Sequence, residues 1–221
     1  MPCHKGWRVM AVAVGLLAAM LGHGFAGGDS PMLRAVEKGD LARVNAMLAA
    51  GEELEQRDPA RRTPLLIATR LDHVDIALAL IAAGADVNAR DNIRDTPFLY
   101  AGAEGRNEIL RAVLASGRAD LASTNRYGGT ALIPAAHHGH PETVRILLAT
   151  DIDIDHVNRL GWTALMEAVI LGDGGAVYQE IVGELVRAGA RDIPDNDGIS
   201  ALEHARRRGY TEIERLIASA G

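Results

Sequence analysis

Apolar residues recur at intervals of three and four along most of the chain, in short segments. In residues 107–116 the apolar set includes Ile109 and Val113, and in residues 141–149 it includes Val144 and Leu147. Residues spaced in this way share one face of a helix, so the pattern predicts amphipathic helices. The longer helices are predicted over residues 40–50, 74–82, 107–116, 141–149, 176–188 and 211–219, and shorter helices precede them, for example over 64–71, 97–104 and 164–171.

The predicted helices come in pairs that repeat at a nearly fixed period. The pairs open with Thr or Ser, at Thr63, Thr96, Thr130, Thr163 and Ser200. These openings are 33, 34, 33 and 37 residues apart, and Ser30 lies 33 residues before the first of them. A period of this length is typical of solenoids. We therefore predict an all-α solenoid of six helix-pair repeats with short hairpin loops, in units at about 30–62, 63–95, 96–129, 130–162, 163–199 and 200–221.

The residues that begin and end each predicted helix pair fit this architecture. The Thr or Ser oxygen can accept a hydrogen bond from an amide of the first turn. Proline at the next position, as in Pro64 and Pro97, loses no hydrogen bond there. A glycine such as Gly105 or Gly139 then ends the first helix. One pair of this size cannot bury its apolar face alone, so we expect the units to be stabilised by stacking.

These motifs resemble the ankyrin repeat. That family's pattern opens with Thr-Pro-Leu-His-x-Ala and ends in Gly-Ala-Asp-Val-Asn-Ala. Here the opening is Thr63-Pro64-Leu65, and Gly84-Ala85-Asp86-Val87-Asn88-Ala89 matches the ending in full. The resemblance extends over residues 30–221. It implies a concave groove, lined by the loop tips and the first helices, in which protein partners bind.

The first helices depart from the family pattern in two ways. The usual histidine is missing, and we expect apolar contacts between neighbouring first helices to replace its hydrogen bonds. A proline, Pro134, lies inside the fourth of these helices, where it should distort the first turn. The residues in place of the histidine are Leu66, Leu99, Ile133, Met166 and Glu203.

The fifth unit carries an insertion, which we expect to lengthen the turn between its helices by five residues. The inserted stretch runs from Gly172 to Gln179 and includes Asp173, Gly174, Gly175 and Tyr178. Insertions in repeat proteins map to loops and often to a binding face. Three interpretations stay open: a tolerated extension, a protein contact, or a phosphate or nucleotide site formed by free amides.

The first 26 residues have the layout of a secretory signal peptide. Lys5 and Arg8 precede an apolar run from Val9 to Leu21, and Gly24 and Ala26 resemble a small-residue cleavage site. The run is too short to span a bilayer. The abundance of Ala and Arg and the scarcity of Lys suggest a GC-rich bacterial genome. We therefore expect a periplasmic or secreted protein without a membrane anchor after cleavage.

Composition restricts the function further. With 48% hydrophobic residues the chain is too apolar to be disordered. Its formal net charge of −6 argues against a nucleic-acid partner, since binding to phosphates requires cations. No nucleophile–base motif stands out, so we expect neither a catalytic site nor a cofactor.

The candidate partner-binding residues lie on consecutive loop tips and on the first helices. Arg, Trp and Tyr often supply most of the binding energy in interfaces. The arginines on an otherwise acidic protein suggest a partner with an acidic patch. The candidates are Arg62, Arg90, Arg94, Tyr100, Arg126, Tyr127, Arg159, Trp162, Glu167 and Leu171.

Two other functions stay open. The protein could serve one exported enzyme as an inhibitor, immunity protein or assembly partner. It could instead bind a metal or a nucleotide, through His137, His138 and His140 or through the glycine-rich insertion. For the histidines we expect a structural role, because adjacent His137 and His138 should face different directions and Cys and acidic partners at ligand spacing are lacking.

Overall fold

The computed structural model describes residues 30–219, and every regular element in that range is an α-helix. The predicted leader, residues 1–26, lies outside the described residues. The helices are α1 (Pro31–Glu37), α2 (Leu41–Ala49), α3 (Pro64–Leu71), α4 (Val74–Ala82), α5 (Pro97–Ala103), α6 (Asn107–Ala115), α7 (Leu132–His137), α8 (Pro141–Leu148), α9 (Ala164–Ile170), α10 (Ala176–Arg187), α11 (Ala201–Arg208) and α12 (Thr211–Ala218).

The helices form two rows. The odd-numbered helices, the first of each pair, pack on one another in chain order, and the even-numbered helices pack in a second row behind them. Each pair also packs internally. This arrangement confirms the predicted all-α solenoid of stacked helix pairs.

Four of the five side chains that replace the family's histidine are buried in the stack, whereas Glu203 in the last unit is 42% exposed and pairs with Arg207. Leu66, Leu99, Ile133 and Met166 are each at most 3% exposed. Burial of a side chain of this size contributes about 1.5–3 kcal/mol. The expected apolar contacts between first helices are therefore present.

The predicted N-caps are found in five of the six units. Ser30, Thr63, Thr96, Thr163 and Ser200 each accept a hydrogen bond from the amide three residues later. In each of these units the cap's carbonyl also accepts from the amide four residues later. These bonds fix where the first helices begin.

The prediction of an N-cap at Thr130 is wrong, and Pro134 supplies the physical reason. Proline has no amide hydrogen, so the Thr130 carbonyl cannot accept from the fourth residue. It accepts instead from the Ile133 amide at 3.3 Å, and α7 begins only at Leu132. The Thr130 hydroxyl is buried, and none of residues 30–219 forms a hydrogen bond with it. Pro134 thus distorts the first turn, as predicted.

The five loop tips between units share one closed turn. An Asp or Asn donates its amide to the carbonyl four residues later, and its carboxylate or amide oxygen accepts from amides within the turn. The fourth residue of each turn is left-handed. It is glycine in three tips, but it is Arg61 (φ 62°) and Arg94 (φ 71°) in the other two.

The insertion in the fifth unit does not form a free loop. Relative to α5 and α6, two of its five extra residues lengthen the turn and three lengthen the helix, since α10 has 12 residues and α6 has nine. The prediction that all five lie in the turn is therefore wrong. The Tyr178 hydroxyl donates to the His137 carbonyl at 2.9 Å, and the Tyr210 hydroxyl donates to the Gly172 carbonyl at 3.1 Å.

These tyrosines occupy a place that histidines take elsewhere in the stack. His73 packs on Gly39 of the preceding unit, and His140 packs on Gly105. In the fifth and sixth units Tyr178 packs on Gly139, and Tyr210 packs on the Gly174 turn. The insertion is thus held in the contact between units.

Replacing either of two glycines near α10 with alanine should change the free energy of unfolding, but in opposite directions. In Gly172→Ala the Cβ would lie 2.3 Å from the Ala168 carbonyl oxygen and 2.5 Å from Tyr178. We expect a loss of about 1–3 kcal/mol of unfolding free energy. In Gly183→Ala, within α10, the nearest atom is Leu216 Cδ2 at 3.9 Å. There we expect a gain of about 0.5–1 kcal/mol, because alanine favours the helix.

Urea unfolding monitored by circular dichroism measures both variants. Equal destabilisation by the two would contradict the placement of Tyr178 against Gly172.

Candidate functional site

The first helices and the loop tips of the third to fifth units surround a cavity of about 430 Å³, here called the groove cavity. The 33-residue period brings together side chains that are distant in sequence. Tyr100, Pro134 and Glu167 occupy one position of consecutive first helices, and Glu104, His138 and Leu171 occupy the position where those helices end. Five of the ten predicted partner-binding residues line the cavity, namely Tyr100, Arg126, Tyr127, Glu167 and Leu171.

Glu167 is the least accessible carboxylate of the groove cavity, with a side chain only 8% exposed. Its Oε1 accepts a hydrogen bond from Asn158 Nδ2 at 2.8 Å, and its Oε2 lies 3.6 Å from His137 Nδ1. Burial disfavours the charged form and raises the pKa of Glu167 to about 7, although the Asn158 bond opposes this shift. Glu167 therefore changes charge near neutral pH.

Two further carboxylates and two histidines share the cavity. Burial, followed by repulsion from Asp91, raises the pKa of Asp95. Glu104 Oε1 lies 3.7 Å from His138 Nδ1, which is also 2.7 Å from the Ala103 carbonyl oxygen. Burial, followed by repulsion from His138, lowers the pKa of His137 and favours the neutral form of this ring. The walls of the cavity thus carry more acidic than basic groups.

The expectation that His137 and His138 face different directions is wrong. Their ring centroids are 4.8 Å apart, and both side chains line the groove cavity. His140 instead packs on Gly105 in the preceding turn, where burial lowers its pKa. Within residues 30–219 no group of three or more His, Cys, Asp or Glu side chains is arranged to hold a metal ion.

Three exposed apolar side chains stand on consecutive tips beside the cavity. Ile93, Tyr127 and Leu160 occupy the same position of their turns and are 42%, 54% and 50% exposed. We call these three residues the tip column. Leu160 and Tyr127 also line the cavity. An exposed apolar side chain at the same position of three neighbouring tips is a repeated feature of the surface rather than a single exposed residue.

The predicted tip arginines differ in their surroundings. Arg62 donates to Asp58 at 2.6 Å, Arg90 donates to Ser123, and Arg159 donates to the Arg126 carbonyl at 2.9 Å. These hydrogen bonds stabilise the loop tips. Arg126 lies over its neighbour Tyr127, 4.8 Å from the ring centroid.

Arg94 differs from the other candidate tip arginines, Arg62, Arg90, Arg126 and Arg159. In the part of the chain that the structure describes, its exposed side chain has no hydrogen bond or ion pair. Its backbone nevertheless holds a left-handed conformation that costs about 1–2 kcal/mol for a residue with a side chain.

The remaining predicted site residues lie apart from the groove cavity. Trp162 is half-buried against the core, and its amide donates to Asn158 Oδ1. In the insertion, Asp173 Oδ1 accepts from the Gly175 amide at 2.8 Å, and Gly174 has a φ of 75°. Because the Asp173 carboxylate already accepts from this amide, it would repel a phosphate or other anion bound there. Tyr178 is bonded to the neighbouring unit, as described above.

Sequence reasoning missed two polar residues that shape the cavity, Asn158 and Asp95. Asn158 closes the fourth tip through its own Oδ1 while its Nδ2 reaches Glu167, which is nine residues further along the chain. The recurrence of Asp or Asn at this place in every tip was the available signal. It marks the turn, but it does not reveal the second hydrogen bond.

Several known proteins are similar to this chain. The sequence matches the family described as "Ankyrin repeats (3 copies)" over residues 10–91, 32–125 and 98–191. A 56-residue stretch is 45% identical to the putative ankyrin repeat protein YahD of Escherichia coli K12. This stretch covers 25% of the chain and only 28% of that relative.

Several solved structures resemble this chain over most of its length. An ankyrin repeat domain from Acinetobacter baumannii AYE is 53% identical, with a TM-score of 0.84, over 86% of this chain and 97% of that one. The ankyrin repeat protein EF0377 is 44% identical, with a TM-score of 0.83, over 85% and 96%. The ankyrin repeat domain of Bcl-3, of the IkappaB family, is 32% identical, with a TM-score of 0.79, over 89% and 88%.

Among residues 30–219 no helix has the length and apolarity to cross a membrane.

Replacing the Glu167 carboxyl with an amide should make stability less dependent on pH. The pKa of Glu167 is raised from its ordinary value of 4.5 to about 7. The unfolded chain therefore loses this proton first, and the folded state is destabilised as pH rises from about 4.5 to about 7. Glu167→Gln keeps the acceptor for Asn158, and near pH 8 it should be more stable than the wild type by about 2–3 kcal/mol.

Urea unfolding at several pH values tests this expectation, with exposed Glu108→Gln as the control. The advantage of Glu167→Gln should disappear below about pH 4.5. An advantage that is the same at every pH would contradict the assigned burial of the charge.

Proposed function

The chain belongs to the ankyrin-repeat family, whose repeats are protein–protein interaction modules, and from this premise we propose that it is a non-catalytic binding protein whose partner docks on the groove cavity and the tip column. The observation that carries the proposal is the exposure of Ile93, Tyr127 and Leu160 on three successive tips. Buried aromatic and apolar anchors supply most of the energy of an interface.

Charge on the tips supports a specific class of partner surface. Arg94 and Arg126 flank the tip column, and Arg94 is free to form an ion pair. A partner surface with an acidic patch around an apolar centre would complement the tips. Charge complementarity of this kind raises the rate of association and excludes other partners. The net charge of −6 makes a nucleic-acid partner a poor match.

The proposed setting is the bacterial periplasm. The support for it is the pattern of the first 26 residues, in which basic residues precede a short apolar run and a small-residue cleavage site. Fractionation of cells that produce the tagged protein tests this part of the proposal. Recovery of the unprocessed chain with the cytosol would overturn it.

Partner capture from the native compartment tests the binding face. Tyr127→Ser together with Leu160→Ser should abolish capture of a partner that the wild type retains, because both apolar anchors are lost. The matched control is Leu78→Ser on α4, which removes a similarly exposed apolar side chain from the second row of helices. Retention of the same partner by both variants would place the interface elsewhere. Capture of one stoichiometric enzyme would identify a dedicated inhibitor or assembly partner.

Arg94→Gly should raise the stability of the fold while it weakens partner binding. Glycine adopts the left-handed conformation freely, so the variant should be about 0.5–1 kcal/mol more stable than the wild type. It should nevertheless bind the partner more weakly, because it loses the free guanidinium beside the tip column. Arg61→Gly, at the same turn position one unit earlier, is the control: it should gain stability and keep binding. Thermal unfolding and capture measure the two effects, and undiminished capture by Arg94→Gly would exclude Arg94 from the interface.

A further inference from the structure

The groove cavity has a surplus of carboxylates, and within residues 30–219 two of them, Glu104 and Glu167, form no ion pair with an arginine or lysine. Asp95, Glu104 and Glu167 line it, and Arg126 is the one Arg or Lys among its lining residues. The Arg126 guanidinium lies over the Tyr127 ring at the rim. Arg70 reaches Asp95 at 3.5 Å from outside the set of lining residues. Among the described residues, the ion contacts of Glu167 and Glu104 are with His137 and His138.

Glu167 has one oxygen free for a ligand. Its Oε1 is bonded to Asn158, whereas within residues 30–219 Oε2 accepts no hydrogen bond, and its contact with His137 Nδ1, at 3.6 Å, is too long for one. The side chain is more than nine-tenths buried, so bulk water cannot fully solvate that oxygen. A buried carboxylate of this kind is stabilised strongly by a cationic donor.

The rest of the cavity suits an aliphatic stem. Leu99, Ala103, Ile133 and Pro134 line it with apolar surface, and Leu160 and Leu171 stand at its edges. Arginine and lysine combine an apolar stem with a charged head, and both bury the stem where apolar walls allow it. A volume of about 430 Å³ is large enough for one such side chain.

We propose that the groove cavity receives one basic side chain, an arginine or a lysine, from the protein partner, with its charged head at Glu167 and Glu104 and its stem against the apolar walls. This inference rests on the proposed function, because it supplies the partner's central anchor in the same groove. It also divides the interface into two parts. The tips favour acidic groups around the rim, and the cavity favours a single cation at the centre.

The probe for this proposal is the blocked tripeptide acetyl-Gly-Arg-Gly-amide, with a citrulline tripeptide as its neutral isostere. Amide chemical shifts of the ¹⁵N-labelled protein follow each titration. We expect the arginine peptide to shift residues 99–104, 133–138 and 158–171. The citrulline peptide should bind about tenfold more weakly, because it lacks the charge-assisted hydrogen bond.

Glu167→Gln should lower the affinity for the arginine peptide about tenfold. Glu104→Gln, at a half-exposed site, should lower this affinity less. Exposed Glu108→Gln on α6 should have no effect. Affinity of the wild type should rise several-fold between about pH 6 and about pH 8 as Glu167 ionises, and Glu167→Gln should lose most of this rise. The groups facing Glu167 that could also titrate are His137 and, across the cavity, His138, Glu104 and Asp95.

Equal binding of the citrulline peptide, or shifts concentrated outside the cavity, would overturn the proposal. So would unchanged affinity in both Glu167→Gln and Glu104→Gln. The test is independent of Ile93, the tip-column residue that does not line the cavity, so Ile93→Ser should still bind the peptide. If the peptide binds but no partner is captured, the result contradicts the proposed function alone. If a partner is captured but the peptide does not bind, the result contradicts the basic anchor alone.

Discussion

The burial of each first helix against the first helices of its neighbours is the interaction on which the rest of the structure depends. A helix of seven or eight residues is too short to be stable alone in water. Side chains such as Leu66, Leu99, Ile133 and Met166 become buried only when the next unit is present. Stability is therefore a property of the interfaces between units, as expected for a solenoid.

Stacking at this period also creates the site. Residues one period apart are brought next to each other, so the groove cavity combines side chains from three units. His137 and Glu167 lie on different first helices, yet they approach within 3.6 Å. The stack holds Glu167 in a place where its charge is poorly solvated. The free energy lost there is available for recognition, because a cationic group that pairs with Glu167 restores favourable interactions to the carboxylate.

The sequence was sufficient for the architecture because its signals are local and repeated. Helical spacing, Thr and Ser caps and the period predicted helices that the structure confirms to within a residue or two, as at 64–71 and 74–82. It was also sufficient to assign Tyr100, Glu167 and Leu171 to one groove, because the period itself places them there. Details that depend on two distant residues at once were not predictable. Whether Tyr178 closes the insertion on His137, and whether Asn158 reaches Glu167, depends on the packing of neighbouring units.

The most direct test of the binding face is photocrosslinking in living cells, with p-benzoylphenylalanine placed at Tyr127 or at Leu78. Both positions are exposed and apolar, but only Tyr127 belongs to the tip column. We expect a discrete crosslinked partner from the Tyr127 position and none from the Leu78 position. A partner crosslinked through Leu78 and absent at Tyr127 would show that the protein binds through its second row of helices, and it would contradict the central claim.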